Sequence, residues 1–276
     1  MDLQVLLAEV DRNRNLLAER YHPTPEQIQN FDDYFRIRNT FTSNALEGNF
    51  LSLVDTRLVL KDGISVGGKR INDLLETLSH GKTFDLMLSI ARNSTLDSIA
   101  KHFLLIICDL HHSFYEMIDK KNAGVYRDVD VMIGGASILP PAPDELDMFM
   151  DNFKAVFGRY KNTYHPVCLA AYAHLRFVQI HPFLDGNGRT SRLLMNLILV
   201  NQGYQIVDID KDSGARYYDA LEKADKQGYK ENEFYSLIAE LELKAQKEFM
   251  RINHIDYPGP DPPSPAPGHC NGMMMK

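Results

Sequence analysis

"AAYAHLRFVQIHPFLDGNGRTSRLLMNLILV", residues 170–200, joins two apolar stretches through a short segment dense in His, Asp, Asn, Gly and Arg. The first stretch keeps helical spacing up to His181, and Pro182 forbids its continuation, so the imidazole is delivered at a helix end where the chain turns away. Phe183 reads as the anchor of that turn. Gly186, Asn187 and Gly188 then allow backbone conformations closed to larger residues, and a second helix opens at once with "RTSRLLMNLILV". Two helices this apolar can be buried only among other helices or under a sheet, so the neighbouring segments decide between an all-α and a mixed fold.

Outward from this hairpin, helical periodicity dominates. Leu3, Leu6, Leu7, Val10 and Leu17 share a face, and "TPEQIQNF" opens a helix with Thr24 as cap and Pro25 in the first turn. Helical spacing returns over 52–60, 71–90, 98–117, 144–157, 166–178, 190–200, 215–224 and 231–249. The exception is "RDVDVMIGGASILPP", residues 127–141. Val129, Val131 and Ile133 alternate, Gly134 and Gly135 supply a tight turn, and Ile138 begins a return arm closed by Pro140 and Pro141. This predicts one isolated β-hairpin on a helical body, with a free edge to which another chain's extended segment can add; a plain connector is the bland alternative. The expected fold is all-α, a helical core with one β-hairpin flap.

With 276 residues, 44% of them hydrophobic, the chain can build a large core without disulfide staples. A net charge of -7 argues against nucleic-acid and anionic-membrane partners, which a surplus of Lys and Arg normally engages. Cys108, Cys168 and Cys270 are widely and irregularly spaced, which predicts thiols in a reducing compartment. The N-terminus has no basic n-region or uninterrupted apolar run, and the most apolar segments fall short of the ~20 residues of a membrane span. The expected localisation is cytoplasmic. Six prolines between Pro258 and Pro267 predict a disordered tail over 251–276.

The segment between the central helices carries the chemistry. Backbone amides in a glycine-rich turn at a helix N-terminus are unpaired donors at the positive end of the dipole, an anion cradle. Arg189 and Arg192 sit in the first turns of the same helix, where cations are poorly placed for the helix itself, and so call for an anion there. Forked guanidiniums beside such a cradle suit a polyphosphate. Asp185 beside phosphates suits a hard divalent ion held between them, and His181 is the group able to take a proton near neutral pH. Taken singly, each has a structural reading: a core histidine, a turn-capping Asp, arginines paired with surface acids. No GxxxxGK(S/T), CxxC or HExxH motif competes.

"HPFLDGNGRTSR" resembles the HPFx(D/E)GNGRxxR signature of Fic domains at every fixed position, and "ALEGN", "AGVYR", "HPVCLAAYAHLRFVQI" and "RYYDALEKA" also look like Fic segments, so the likeness covers about residues 40 to 245. It implies the Fic fold, with 1–90 as an N-terminal helical region, 91–250 as the catalytic core, and an activity that moves AMP from ATP to a Ser, Thr or Tyr hydroxyl of a protein as pyrophosphate leaves, with auto-AMPylation. By resemblance His181 is the base, Asp185 holds Mg²⁺ (or Mn²⁺), Gly186, Asn187, Gly188 and Arg189 cradle the phosphates, and Arg192 takes the γ-phosphate. Ile133, Gly134, Gly135 and Ala136 would form a flap over the nucleotide, with the target protein along its edge. Tyr217 and Tyr218 fall at nucleotide-pocket positions, as does Asp225, where some members place an Asn. A homodimer is left open.

A second motif, "SNALEGN", resembles the (S/T)xxxE(G/N) inhibitory motif of Fic proteins whose inhibitory helix, here around 40–48, precedes the core. Ser43 and Glu47 are one helical turn apart and Gly48 is a plausible C-cap, which leaves Glu47 an anion at the wrong end of its own dipole. The resemblance implies that Glu47 pairs with Arg192 and displaces the γ-phosphate. It leaves three readings: an autoinhibited AMP transferase, a bifunctional or predominantly de-AMPylating hydrolase that uses Glu47, and a nucleotide-sensing protein without catalysis.

Overall fold

The computed structural model describes residues 2–133, 139–227, 231–257 and 259, with the side chains of 225–231 also outside the description. Among the described residues there are eleven α-helices: α1 (Leu3–Arg20), α2 (Pro25–Leu46), α3 (Leu53–Lys61), α4 (Ile71–Asn93), α5 (Leu96–Lys101), α6 (Phe103–Tyr115), α7 (Leu146–Tyr160), α8 (Pro166–Ile180), α9 (Asn187–Asn201), α10 (Lys211–Gln227) and α11 (Glu231–Ile252). Among the described residues none is long and apolar enough to cross a membrane.

Local chemistry sets the ends. Thr24 and Gln27 form a reciprocal capping box on α2, with Pro25 in its first turn, and Ser52 and Asp55 do the same for α3. The helix expected over 98–117 is two helices, because His102 leaves helical dihedrals and turns both its N–H and Nδ1 onto the Ser98 carbonyl. Helix α9 begins at Asn187, three residues before the apolar period appears, since Gly186 takes the left-handed conformation (φ 77°) that starts it.

α8 and α9 form the antiparallel hairpin at the centre, nearly every side chain buried. α4 and α6 pack on α9, α7 and α11 pack on α8, α1 lies on α11, and α2 lies on α4 and reaches α9. One hydrophobic cluster runs through this stack from Leu6 to Met250. The hairpin at the centre therefore sits on rigid supports on both sides, and its connecting turn, 181–186, emerges at one end of the core.

The expected β-hairpin is corrected in its arms. Residues 127–133 and 139–142 carry no strand, while the turn itself, 134–138, lies outside the described residues. A lone two-stranded ladder has little to hold it: Val129, Met132 and Leu139 are exposed, and Val131 and Ile133 are only partly buried. Of the cysteines, Cys108 is a free thiol, Cys168 is buried in α8, and Cys270 is outside the description. So is most of the expected tail, whose described part, 251–257 and 259, begins with the last turn of α11.

Candidate active site

His181 closes α8 with φ 50° and ψ 57°, a left-handed conformation that costs a non-glycine residue about 1–2 kcal/mol. The surroundings hold it there. Its N–H donates to Phe177 O (2.9 Å), and Arg127, buried, donates from Nε to His181 O (2.9 Å) and from its backbone N–H to Pro182 O (2.9 Å). The same guanidinium donates to Val129 O (2.9 Å) and Pro141 O (2.5 Å), binding both ends of the 129–141 segment to the turn. His181 Nδ1 lies 3.3 Å from Val178 O, so it carries the proton and Nε2 is left as an acceptor. Burial holds this imidazole below its ordinary pKa, aided by Arg127 and opposed by the Val178 bond, Asp185 and Glu47.

The rest of the turn is fixed as firmly. Asn187 accepts from Phe183 N–H (3.0 Å) and donates to Phe183 O (2.8 Å), so its side chain is spent on the turn. Phe183 stacks on His111 at 3.7 Å and 4°. Gly124 N–H donates to His111 Nδ1 (2.9 Å), which makes Nε2 the protonated nitrogen, and it donates to Asp185 O at 2.9 Å. Burial keeps His111 neutral, its pKa pushed down to about 4.

Asp185 thus projects from a rigid backbone into solvent, its side chain 61% exposed. Oδ1 accepts from Gly186 N–H (2.6 Å) and Oδ2 from Tyr115 Oη (3.3 Å), with Arg189 at 3.6 Å. No side chain caps α9, so its first-turn amides at Asn187, Gly188 and Arg189 remain a donor cluster beside that carboxylate. Among the described residues no three side chains gather as a metal site. One exposed carboxylate beside an amide cradle nevertheless fits a hard divalent ion that takes its other oxygens from phosphate and water.

The two arginines diverge. Arg189 is buried against the Phe114 ring (4.5 Å) and pairs with Glu76 on α4 at 3.0 Å. Arg192, also buried, turns to α2: Nε donates to Ser43 Oγ (2.9 Å), and Nη2 to Ser43 O (3.1 Å) and Glu47 Oε1 (2.7 Å). Glu47 is the C-cap of α2, and its carboxylate lies over Gly188 so closely that a β-carbon added there would fall on Oε1. Burial pushes the Glu47 carboxyl up, but Arg192 and then Arg189 outweigh it and leave the pKa below the ordinary range. An acid side chain therefore stands at the mouth of the amide cradle.

Tyr217 is buried, its hydroxyl 3.1 Å from His174 Nε2 and its ring edge-on to that imidazole, so in this state it backs the site from the core. Tyr218 is half-exposed and donates to Leu46 O at 3.2 Å, beside Glu47. Ile133 is partly buried; Gly134, Gly135 and Ala136 lie outside the described residues, and so does the side chain of Asp225, on α10. Sequence reasoning missed Glu76, which holds Arg189 and also accepts from Asn49 Nδ2 (2.8 Å), two residues beyond Glu47. It missed His111 as well. Neither has a local signal, because each acts through a partner distant in sequence; Arg127, in the quoted "AGVYR", had one.

An all-α fold that carries HPFLDGNGRTSR on the turn of its central hairpin defines a Fic-type domain. Residues 104–199 match the model described as "Fic/DOC family". Curated relatives named "Protein adenylyltransferase Fic" include that of Drosophila persimilis, 33% identical over 80% of this chain and 42% of its own length, and that of Drosophila grimshawi, 34% identical over 80% and 44%. The chain spans less than half the length of these relatives. Among solved structures, a Fic domain containing signaling protein from Bacteroides thetaiotaomicron superposes with a TM-score of 0.74 at 24% identity, over 87% of this chain and 95% of that one. Fic-1 of C. elegans gives 0.74 at 24% over 90% and 72%. At this identity these two likenesses show the fold.

Proposed function

We propose that this chain is a protein adenylyltransferase, moving AMP from ATP to a Ser, Thr or Tyr hydroxyl of a target protein, and that Glu47 holds it back. The observation that carries the reading is the Glu47 Oε1 to Arg192 Nη2 contact of 2.7 Å directly over Gly188. It places a carboxylate where the cradle and its arginine would receive a phosphate. In this reading 91–250 is the catalytic core and 1–90 carries the brake; its own hydroxyls are substrates too.

The chemistry follows from the turn. His181 Nε2 accepts the proton as the target oxygen bonds to the α-phosphorus, the bond from that phosphorus to the bridging oxygen of the β-phosphate breaks, and pyrophosphate departs; the imidazolium later releases its proton to solvent. The Val178 bond at Nδ1 keeps the ring in the tautomer this needs. The cradle amides bind the charge of the phosphates, and Asp185 would hold Mg²⁺ or Mn²⁺, which when bound neutralises phosphate charge. With Glu47 in place the γ-phosphate loses Arg192, and a misplacement of about 1 Å can cost roughly 10²-fold in rate.

Glu47→Gly is expected to raise transfer of label from α-labelled ATP to protein by about 10–100-fold, and His181→Ala to abolish it. Equal labelling by wild type and Glu47→Gly would sink the inhibitory role. A hydrolase reading has its own support: Glu47 Oε2 takes no hydrogen bond among the described residues, which leaves an ionised oxygen able to orient a water. Release of AMP from a modified protein by wild type, absent in Glu47→Gly, would assign that direction.

A further inference from the structure

The face that α2 buries is mostly polar. Its buried residues are Phe35, Asn39, Thr40, Thr42, Ser43, Asn44 and Ala45, so directional bonds rather than apolar area fix how it docks. Thr40 Oγ1 meets His80 Nδ1 on α4 at 3.0 Å, and Ser43 and Glu47 meet Arg192 on α9. Three further side chains of α2, Arg38, Asn39 and Thr42, converge on one residue outside every motif, Asp208, in the segment 204–210 between α9 and α10.

Asp208 Oδ1 accepts from Asn39 Nδ2 at 2.8 Å and from Thr42 Oγ1 at 3.5 Å, and Oδ2 pairs with Arg38 Nε at 2.9 Å. Arg38 reaches on to Glu248 of α11 at 2.7 Å. The segment is itself locked to α9: Val207 N–H donates to Asn196 Oδ1 (2.8 Å) and Asn196 Nδ2 donates back to Val207 O (3.0 Å). Asn196 lies one turn beyond Arg192, and Asn39 one turn before Ser43. The chain therefore closes a ring, in which α9 and α2 meet directly at Arg192 and again, one turn away, through 207–208.

We propose that Asp208 is the positioning residue that sets the register of α2, holding Ser43 and Glu47 against Arg192, so that the brake is held at two points and released by loosening either. This rests on the reading of Glu47 as a brake. A one-residue slip of a helix turns it by about 100° and shifts it by about 1.5 Å, enough to take Glu47 off Gly188 while the core stays intact. Charge-assisted bonds suit this work because they are strong and directional. Burial pushes the Asp208 carboxyl up to about 6, with Arg38 and Asn39 opposing, as expected for a carboxylate whose ionised form depends on its contacts with α2.

The test compares wild type, Asp208→Asn, Glu47→Gly and the double variant in transfer from α-labelled ATP, and follows amide hydrogen exchange over 39–47. Asp208→Asn should raise transfer about tenfold and speed exchange in α2, while the double variant should match Glu47→Gly. Non-additivity is the signature that a merely structural role does not give. Unchanged or lower transfer by Asp208→Asn, with Glu47→Gly active, overturns the proposal. If Glu47→Gly itself shows no transfer, the functional reading fails and the exchange alone judges Asp208, unchanged rates overturning it. Should Asp208→Asn fail to fold, Arg38→Gln removes the same ion pair from the other side and is held to the same outcomes.

Discussion

His181 shows how a single residue acquires its role from backbone as much as from its ring. Pro182 ends the helix, the left-handed dihedrals aim the side chain, and Val178 O takes Nδ1–H so that Nε2 can accept. Burial lowers its pKa, so the neutral base persists to more acid solution than a free imidazole would allow. For an activity needing the neutral ring, the acid limb of the pH–rate profile of Glu47→Gly is expected below the ordinary imidazole value of about 6.5. Glu47 is one of the groups raising that pKa, so its removal moves the limb further down. A limb above about 6.5 would remove His181 as the base. The residue types at 181, 185, 189 and 192 were legible because their chemistry is unusual in one turn; the divergence of Arg189 to Glu76 and Arg192 to Ser43 was not, because either guanidinium reaches several ångströms and its partner is set by what packs opposite.

At the scale of elements, periodicity located helices well where one face is apolar and poorly where capping or a kink decides. The split at His102 and the early start of α9 at Gly186 turn on dihedrals of single residues. The alternation at 129–133 buries Val131 and Ile133 only in part and forms no strand, and Arg127 organises the segment instead, through Val129 O and Pro141 O. α11 carries a buried acid, Glu242, which accepts from Gln205 N–H at 2.9 Å. Burial raises its pKa from 4.5 to about 8, with the Gln205 and Gln246 bonds opposing. Between those values the folded state keeps a proton that the unfolded state releases, so stability is greatest below about 4.5 and falls as pH rises toward about 8. Glu242→Gln keeps the acceptor and removes the ionisation. Its thermal midpoint should exceed that of wild type by a margin that grows from about pH 5 to about pH 8, a difference of order a few kcal/mol at the upper end; a constant margin would contradict the assignment.

Across the whole molecule, the N-terminal helices are part of one core with the Fic region rather than an appendage. Leu6, Leu7 and Val10 of α1 are at most 1% exposed, on a helix that lies against α11. Removing α1 uncovers this surface, and at about 1.5–3 kcal/mol per buried aliphatic side chain it should cost roughly 5 kcal/mol, read as a large fall in thermal midpoint by calorimetry. An unchanged midpoint would mean that the two parts are energetically separate. The sequence by itself determined the helical class, the order of the main helices, and the unusual residue types of the 181–192 turn, because periodicity, proline and glycine placement, and an improbable cluster of polar groups all act over a few neighbouring residues. The resemblance already implied that Glu47 meets Arg192, as it does, but only the tertiary structure decided that Glu76 takes Arg189 and that Asp208 meets Arg38 of α2. Those pairings join residues far apart along the chain, and the free energy of a buried charge depends on the partner that packing brings within hydrogen-bond reach, which no local pattern records.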